Sequence, residues 1–185
     1  PVKELDATIS NASKGEYNHY MLKEIYEQPE AIQQTISQAL NGNTLRDDFL
    51  NHANADFDKI QQVQIIACGT SYHAGMIAKY WFEQLIGVPC QVEIASEFRY
   101  RTPVIVANTL YICISQSGET ADTLAALRET QKRAKAQNLD ITTMTICNVA
   151  TSSMVRETEH HLLTLAGPEI GVASTKAFTT QLAAL

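Results

Sequence analysis

LYICISQSGETADTLAALRETQKRAKAQ, residues 110–137, decides the fold class. Residues 110–115 form a continuous apolar run without a charge, the composition of a strand covered on both faces. A polar turn containing Gly118 follows. From Glu119 the pattern becomes helical, acidic at the start and basic at the end, as the helix macrodipole favours. A buried strand that runs straight into a long helix is half of the unit that builds a parallel sheet.

The same alternation recurs on both sides. VQIIACG (63–69) leads into TSYHAGMIAKYWFEQLIG (70–87), where Ala74, Ile77, Ala78, Trp81, Phe82 and Leu85 make one wide apolar stripe. CQVEIA (90–95), ITTMTICNV (141–149) and HHLLTL (160–165) read as further strands, and STKAFTTQLAAL (174–185) as a last helix. Helices alternating with apolar strands predict a parallel sheet between helical layers. Towards the N-terminus, Met21, Leu22, Ile25 and Tyr26 recur at helical spacing in residues 17–28. Pro29 suits the first turn of a second helix, ended by Asn41-Gly42. Residues 41–62 read as a loop with a short helix near Ala55–Gln61. The chain thus divides into a polar tail (1–16), helices and a loop that pack on the domain (17–62), and the sheet domain itself (63–185). The apolar finish at Leu185 predicts a longer protein in which the last helix continues.

Composition narrows the function. The 185 residues are 45% hydrophobic and 18% charged, enough for one core without disulfides or a structural metal. A net charge of −6 disfavours a nucleic-acid surface, whose affinity comes from clustered Lys and Arg. No apolar run is long enough for a membrane span, and no signal peptide opens the chain. Cys68, Cys90, Cys113 and Cys147 lack metal-ligand spacing and read as reduced, structural thiols of a cytoplasmic protein. His160 and His161 are adjacent on a strand, so they point to opposite faces and share no metal.

Ligands of parallel sheets bind beyond the carboxyl ends of the strands, which directs attention to three junctions. At Cys68-Gly69-Thr70-Ser71, Gly69 permits a tight turn and Thr70 or Ser71 can cap the helix. Ser115-Gln116-Ser117-Gly118-Glu119-Thr120 places hydroxyls at a helix N-terminus, where orphan N–H groups can hold a phosphate. Ordinary capping explains the same residues equally well. Gly167–Lys176 is a long irregular loop with Ser174 as a natural N-cap; Lys176 reads either as a solvated side chain or as a charge that an anionic ligand would welcome. Neither a nucleotide P-loop nor a dinucleotide fingerprint is present. Arg99 and Arg101 flank Tyr100 on what reads as a short surface loop.

Together C-G-T-S, S-Q-S-G-E-T-x-D-T and E-I-G-V-A-S-T-K-A-F resemble the sugar isomerase (SIS) domain of the glutamine–fructose-6-phosphate aminotransferase family. ASEFRYR (95–101), KYWFE (79–83) and HYMLKEIYEQP (19–29) strengthen the likeness, which spans residues 14–185. The resemblance implies an α/β three-layer sandwich with a five-stranded parallel sheet in flavodoxin-like order, preceded by N-terminal helices. It implies the first of two SIS domains in an enzyme that makes glucosamine 6-phosphate from fructose 6-phosphate and glutamine for amino-sugar synthesis. By the same resemblance, Ser115, Gln116, Ser117 and Thr120 hold the phosphate. Thr70, Ser71, Val172 and Ser174 line the sugar, with Cys68 and Gly69. No metal or cofactor is implied, and the parent enzyme is expected to be a homodimer. The family's glutaminase nucleophile and its proton-handling residues fall outside this chain, so the chain is expected to bind without reacting. Glu169 is the local candidate for contact with the reacting end of the sugar. A phosphosugar-sensing regulatory module is the rival reading; the last loop and ASEFRYR favour the enzyme.

Overall fold

The computed structural model describes residues 13–46, 48–50 and 57–185. In chain order the elements are α1 (Tyr20–Ala39), β1 (Leu40–Asn41), β2 (Thr44–Leu45), β3 (Gln62–Ala67), α2 (Gly69–Trp81), β4 (Cys90–Ile94), α3 (Ala95–Tyr100), β5 (Thr109–Ser115), α4 (Ala121–Gln137), β6 (Ile141–Cys147), α5 (Ser153–Glu157), β7 (His160–Leu163) and α6 (Lys176–Ala184). Strands β3 to β7 form a five-stranded sheet in the order β4-β3-β5-β6-β7, with every pairing parallel. This is the expected flavodoxin-like order. β5 is buried along its whole length, as its uninterrupted apolar sequence requires.

Alternation along the strands feeds two cores. Ile65, Ile112, Ile114 and Ile146 point to one face, where Ala78 of α2 and the end of α6 cover them. Ile66, Tyr111 and Cys113 point to the other, against Phe98 of α3, Leu124 and Leu127 of α4, and Met154 of α5. Among the described residues no helix is long and apolar enough to cross a membrane.

Several sequence expectations need correction. Residues 20–39 are one helix, with Pro29 inside it. Proline removes the N–H that would bond Ile25's carbonyl; the Gln28 side-chain amide donates to that carbonyl instead, at 3.0 Å. The apolar positions of α1 are not its buried face. Met21, Leu22, Ile25 and Tyr26 are exposed, whereas Glu24, Ala31 and Thr35 are buried. Thr35 and Gln38 donate to the carbonyls of Thr164 and Leu163, which tie α1 to the end of β7. Asn41 ends β1 and Gly42 opens the tight turn of the β1–β2 hairpin.

The short helix near Ala55–Gln61 falls partly outside the described residues; its described part is a turn closed by Ile60 N to Phe57 O. Arg99 and Tyr100 belong to the short helix α3 and not to a loop; Arg101 follows as its C-cap. α2 ends at Trp81 and passes into a π-helical turn, Phe82–Ile86. α5 was not anticipated: five residues are too few for a period to show.

Candidate functional site

The parallel registers place the junctions side by side. Ala67 pairs with Ile114 and Ser115 with Cys147, so the segments after β3, β5 and β6 leave the same end of the sheet. β7 ends beside Cys147 and brings the 167–176 loop to that end as well. β3 and β5 flank the point where strand order reverses, the usual ligand crevice of such sheets.

At the central junction, Ser115 Oγ and Thr120 Oγ1 lie 2.8 Å apart, and Gly118 N donates to Ser115 Oγ at 3.1 Å. One hydroxyl proton joins the pair and the other remains available to a ligand. Thr120 occupies the N-cap of α4, yet its side chain makes no cap hydrogen bond. Ser117 is exposed; its Oγ accepts from Glu119 N at 3.1 Å, which leaves its O–H to donate outward. Gly118 has φ +66°, and an added Cβ would lie 2.5 Å from Ser152 Cβ and overlap its Oγ. Glu119 turns away from the junction. The Ser153 backbone N–H, at 2.6 Å, holds its carboxyl below the usual carboxylate range.

At the first junction α2 begins at Gly69, whose φ is +57°, with Cys68 as N-cap and no side-chain cap. Thr70 and Ser71 therefore stand in the first turn instead of capping it. Thr70 is exposed and Ser71 buried. Cys68 is half-buried, whereas Cys90, Cys113 and Cys147 are buried. Burial pushes the thiols of Cys90 and Cys113 up to about 12, and that of Cys147 upward too. Iodoacetamide at about pH 8 should therefore label Cys68 first in the folded protein, because the thiolate is the nucleophile. Peptide mass mapping checks this; early labelling of Cys113 would contradict the burial.

The last loop is held by carboxylates. Glu169 Oε1 accepts from Thr175 N (2.8 Å), Thr175 Oγ1 (2.9 Å) and Ala177 N (3.2 Å), and Ser174 Oγ donates to Oε2 at 3.3 Å. Glu169 thus caps α6, the role expected of Ser174, and both its oxygens are engaged. Lys176 is buried, with Nζ 2.6 Å from Glu27 Oε2, and is not a solvated side chain. Glu24 Oε1 accepts from Ile170 N (2.6 Å) and Gly171 N (2.9 Å). Val172 projects into solvent.

Asn148 links this loop to the central junction. Its N donates to Gln116 O at 3.0 Å, its Nδ2 to Gly167 O at 2.7 Å, and its Oδ1 accepts from Ala166 N at 2.7 Å. Sequence reading passed over Asn148, Glu24 and Glu27. For Asn148 a signal existed, a polar residue closing an apolar strand at the ligand end. Arg99 bonds Asp122 in the first turn of α4 at 2.6 Å, which ties α3 to the helix that starts at the central junction.

A family profile described as the SIS domain matches residues 56–185. A glutamine–fructose-6-phosphate aminotransferase (isomerizing) of Acinetobacter baylyi is 89% identical over the whole chain, which spans 30% of that protein's length. The corresponding protein of Pseudomonas aeruginosa is 59% identical over 94% of this chain and 28% of its own length. Among solved structures, the C-terminal domain of glucosamine-fructose-6-phosphate aminotransferase from Francisella tularensis superposes with a TM-score of 0.84 at 55% identity. That match covers 93% of this chain and 47% of the other. The tagatose-6-phosphate ketose/aldose isomerase of Escherichia coli, 18% identical with a TM-score of 0.72, shares the fold over 90% of this chain and 46% of its own.

Proposed function

The chain belongs to the SIS domain family, and from that premise we propose that it binds the phosphate and part of the sugar of fructose 6-phosphate. In this reading it serves a cytoplasmic, homodimeric glutamine–fructose-6-phosphate aminotransferase, whose product is glucosamine 6-phosphate. The observation that carries the reading is the central junction. Two hydroxyls 2.8 Å apart stand at the N-terminus of α4 without capping it, beside an exposed Ser117 hydroxyl free to donate. A dianion there meets backbone N–H groups, the positive helix end and Ser and Thr donors, and needs no lysine.

Ser115, Gln116, Ser117 and Thr120 take the phosphate. Thr70, Ser71, Val172 and Ser174, with Cys68 and Gly69, line the rest of the sugar. Anchoring the far end of the substrate lets binding energy orient the carbonyl end for reaction. Ser117→Ala should weaken fructose 6-phosphate binding by about 1.5–3 kcal/mol, the value of a hydrogen bond to a charged group, with the fold unchanged. Calorimetry that finds equal affinity in a folded variant would remove the phosphate from this junction.

The 185-residue chain should bind without turnover. Ring opening and proton transfer between C1 and C2 need an acid or base within hydrogen-bond reach of the reacting atoms. The charged side chains of the junctions are engaged elsewhere: Glu119 with Ser153, Glu169 with α6 and Lys176 with Glu27. Incubation with fructose 6-phosphate and ammonium should yield neither glucose 6-phosphate nor glucosamine 6-phosphate. Product abolished by Glu169→Gln would place a complete active site in this chain.

A further inference from the structure

Glu24 is an unexpected residue to bury on a helix whose large apolar side chains face solvent. It is 2% exposed, while Met21, Leu22 and Ile25 beside it are 39–44% exposed. Burying a carboxylate is unfavourable unless hydrogen bonds compensate it. Here they come from far along the chain, from the backbone N–H groups of Ile170 and Gly171 at 2.6 and 2.9 Å. The fit is tight. A Cβ on Gly171 would lie 2.5 Å from Glu24 Oε2 and 3.5 Å from Met21 Cα. A leucine at position 24 could pack there but could hold neither amide.

The loop is fixed on either side of this contact. Asn148 grips Gly167 and reaches Gln116 of the phosphate junction, and Glu169 caps α6 and holds Ser174. Between these anchors, Ile170, Val172 and Ala173 are exposed and Gly171 is half-buried, with Val172 projecting outward. Such segments open easily unless specific contacts hold them. Hydrogen bonds to an ionised acceptor are roughly twice as strong as neutral ones, so one carboxylate can hold two successive amides.

We propose that Glu24 is a positioning residue: from α1 it sets the Ile170–Val172 turn so that this loop, and not the phosphate junction, discriminates the sugar of a bound phosphosugar. The proposal deepens the phosphosugar reading and rests on it. Phosphate affinity belongs to residues 115–120 and sugar discrimination to a loop held by a different element. The two should therefore separate on mutation.

The experiment uses the 185-residue chain, with fructose 6-phosphate and inorganic phosphate as separate calorimetric titrants and amide hydrogen exchange as a second readout. Glu24→Ala should weaken fructose 6-phosphate about tenfold, as expected for loss of charge-assisted hydrogen bonds, and leave inorganic phosphate within about twofold. Exchange at the Ile170 and Gly171 amides should quicken while the β5 amides stay protected. Glu24→Gln, whose carbonyl can still accept from both amides, should recover most of the affinity. Gly171→Ala should reproduce the Glu24→Ala pattern with the carboxylate intact. Equal loss of both titrants, or unchanged exchange at 170–171, would overturn the proposal by reducing Glu24 to general support of the fold. A wild-type chain that binds neither titrant would sink the phosphosugar reading instead, and amide exchange alone would then decide whether Glu24 holds the loop.

Discussion

Gly118→Ala is expected to lower the thermal midpoint by about 5–15 °C and to abolish measurable phosphosugar binding. Two costs combine. Gly118 sits at φ +66°, where a residue with a Cβ loses roughly 1–2 kcal/mol. The new methyl would also lie 2.5 Å from Ser152 Cβ and overlap Ser152 Oγ; overpacking of this kind costs about 1–3 kcal/mol. Each kcal/mol shifts the midpoint of a domain this size by roughly 2–4 °C. Neither side can yield easily. Ser152 caps α5 by accepting from Val155 N, and Met154 N donates to the Gly118 carbonyl. The loop that must move carries Ser117 on one side and Thr120 on the other, so affinity falls with stability. Ser152→Gly in the same chain should restore the steric part and leave the backbone part. The double variant should thus be more stable than the sum of the single effects predicts, a coupling that a double-mutant cycle reads directly. A midpoint within about 2 °C of wild type would mean that the junction tolerates a side chain and is looser than its geometry implies.

The sheet was legible because its central strands β5 and β6 are buried on both faces: runs such as LYICIS carry their environment in their composition, and the turn residues after them mark the ligand end. Ser115, Gln116, Ser117 and Thr120 therefore fall on one junction by sequence alone. What stayed hidden depends on contacts between distant segments. Glu24 and Glu27 look like the polar side of an amphipathic helix, and Met21, Leu22, Ile25 and Tyr26 like its buried side. The structure exposes those apolar residues and buries Glu24, which meets backbone amides 146 and 147 residues away. No local period encodes such a pairing. Pro29 misled for a different reason. A proline ends a helix when the freed carbonyl has no partner, and here the neighbouring Gln28 supplies one from its side chain. Lys176 and Glu169 were read each on its own, as a solvated cation and a contact for the reacting end of the sugar. In the fold both hold the start of α6, one through Glu27 and the other through the helix's first N–H groups.

Glu27→Ala is the second large effect expected, a loss of about 3–5 kcal/mol at neutral pH, the range for breaking a buried ion pair by removing one partner. The lysine side of the pair is the deep one. The Lys176 side chain is 4% exposed against 30% for Glu27. Deleting the carboxylate therefore strands the buried ammonium, whereas Lys176→Met leaves a half-exposed carboxylate that Lys23, 3.4 Å away, can still partner. Lys176→Met should accordingly cost less than Glu27→Ala, although both break the same contact. The double variant Glu27→Ala/Lys176→Met should regain most of the stability, because a methionine suits the site that an unpaired ammonium does not. Urea unfolding at neutral pH measures all three variants. Equal losses in the two single variants, with no recovery in the double, would mean that water reaches Lys176 and that α1 does not seal the start of α6.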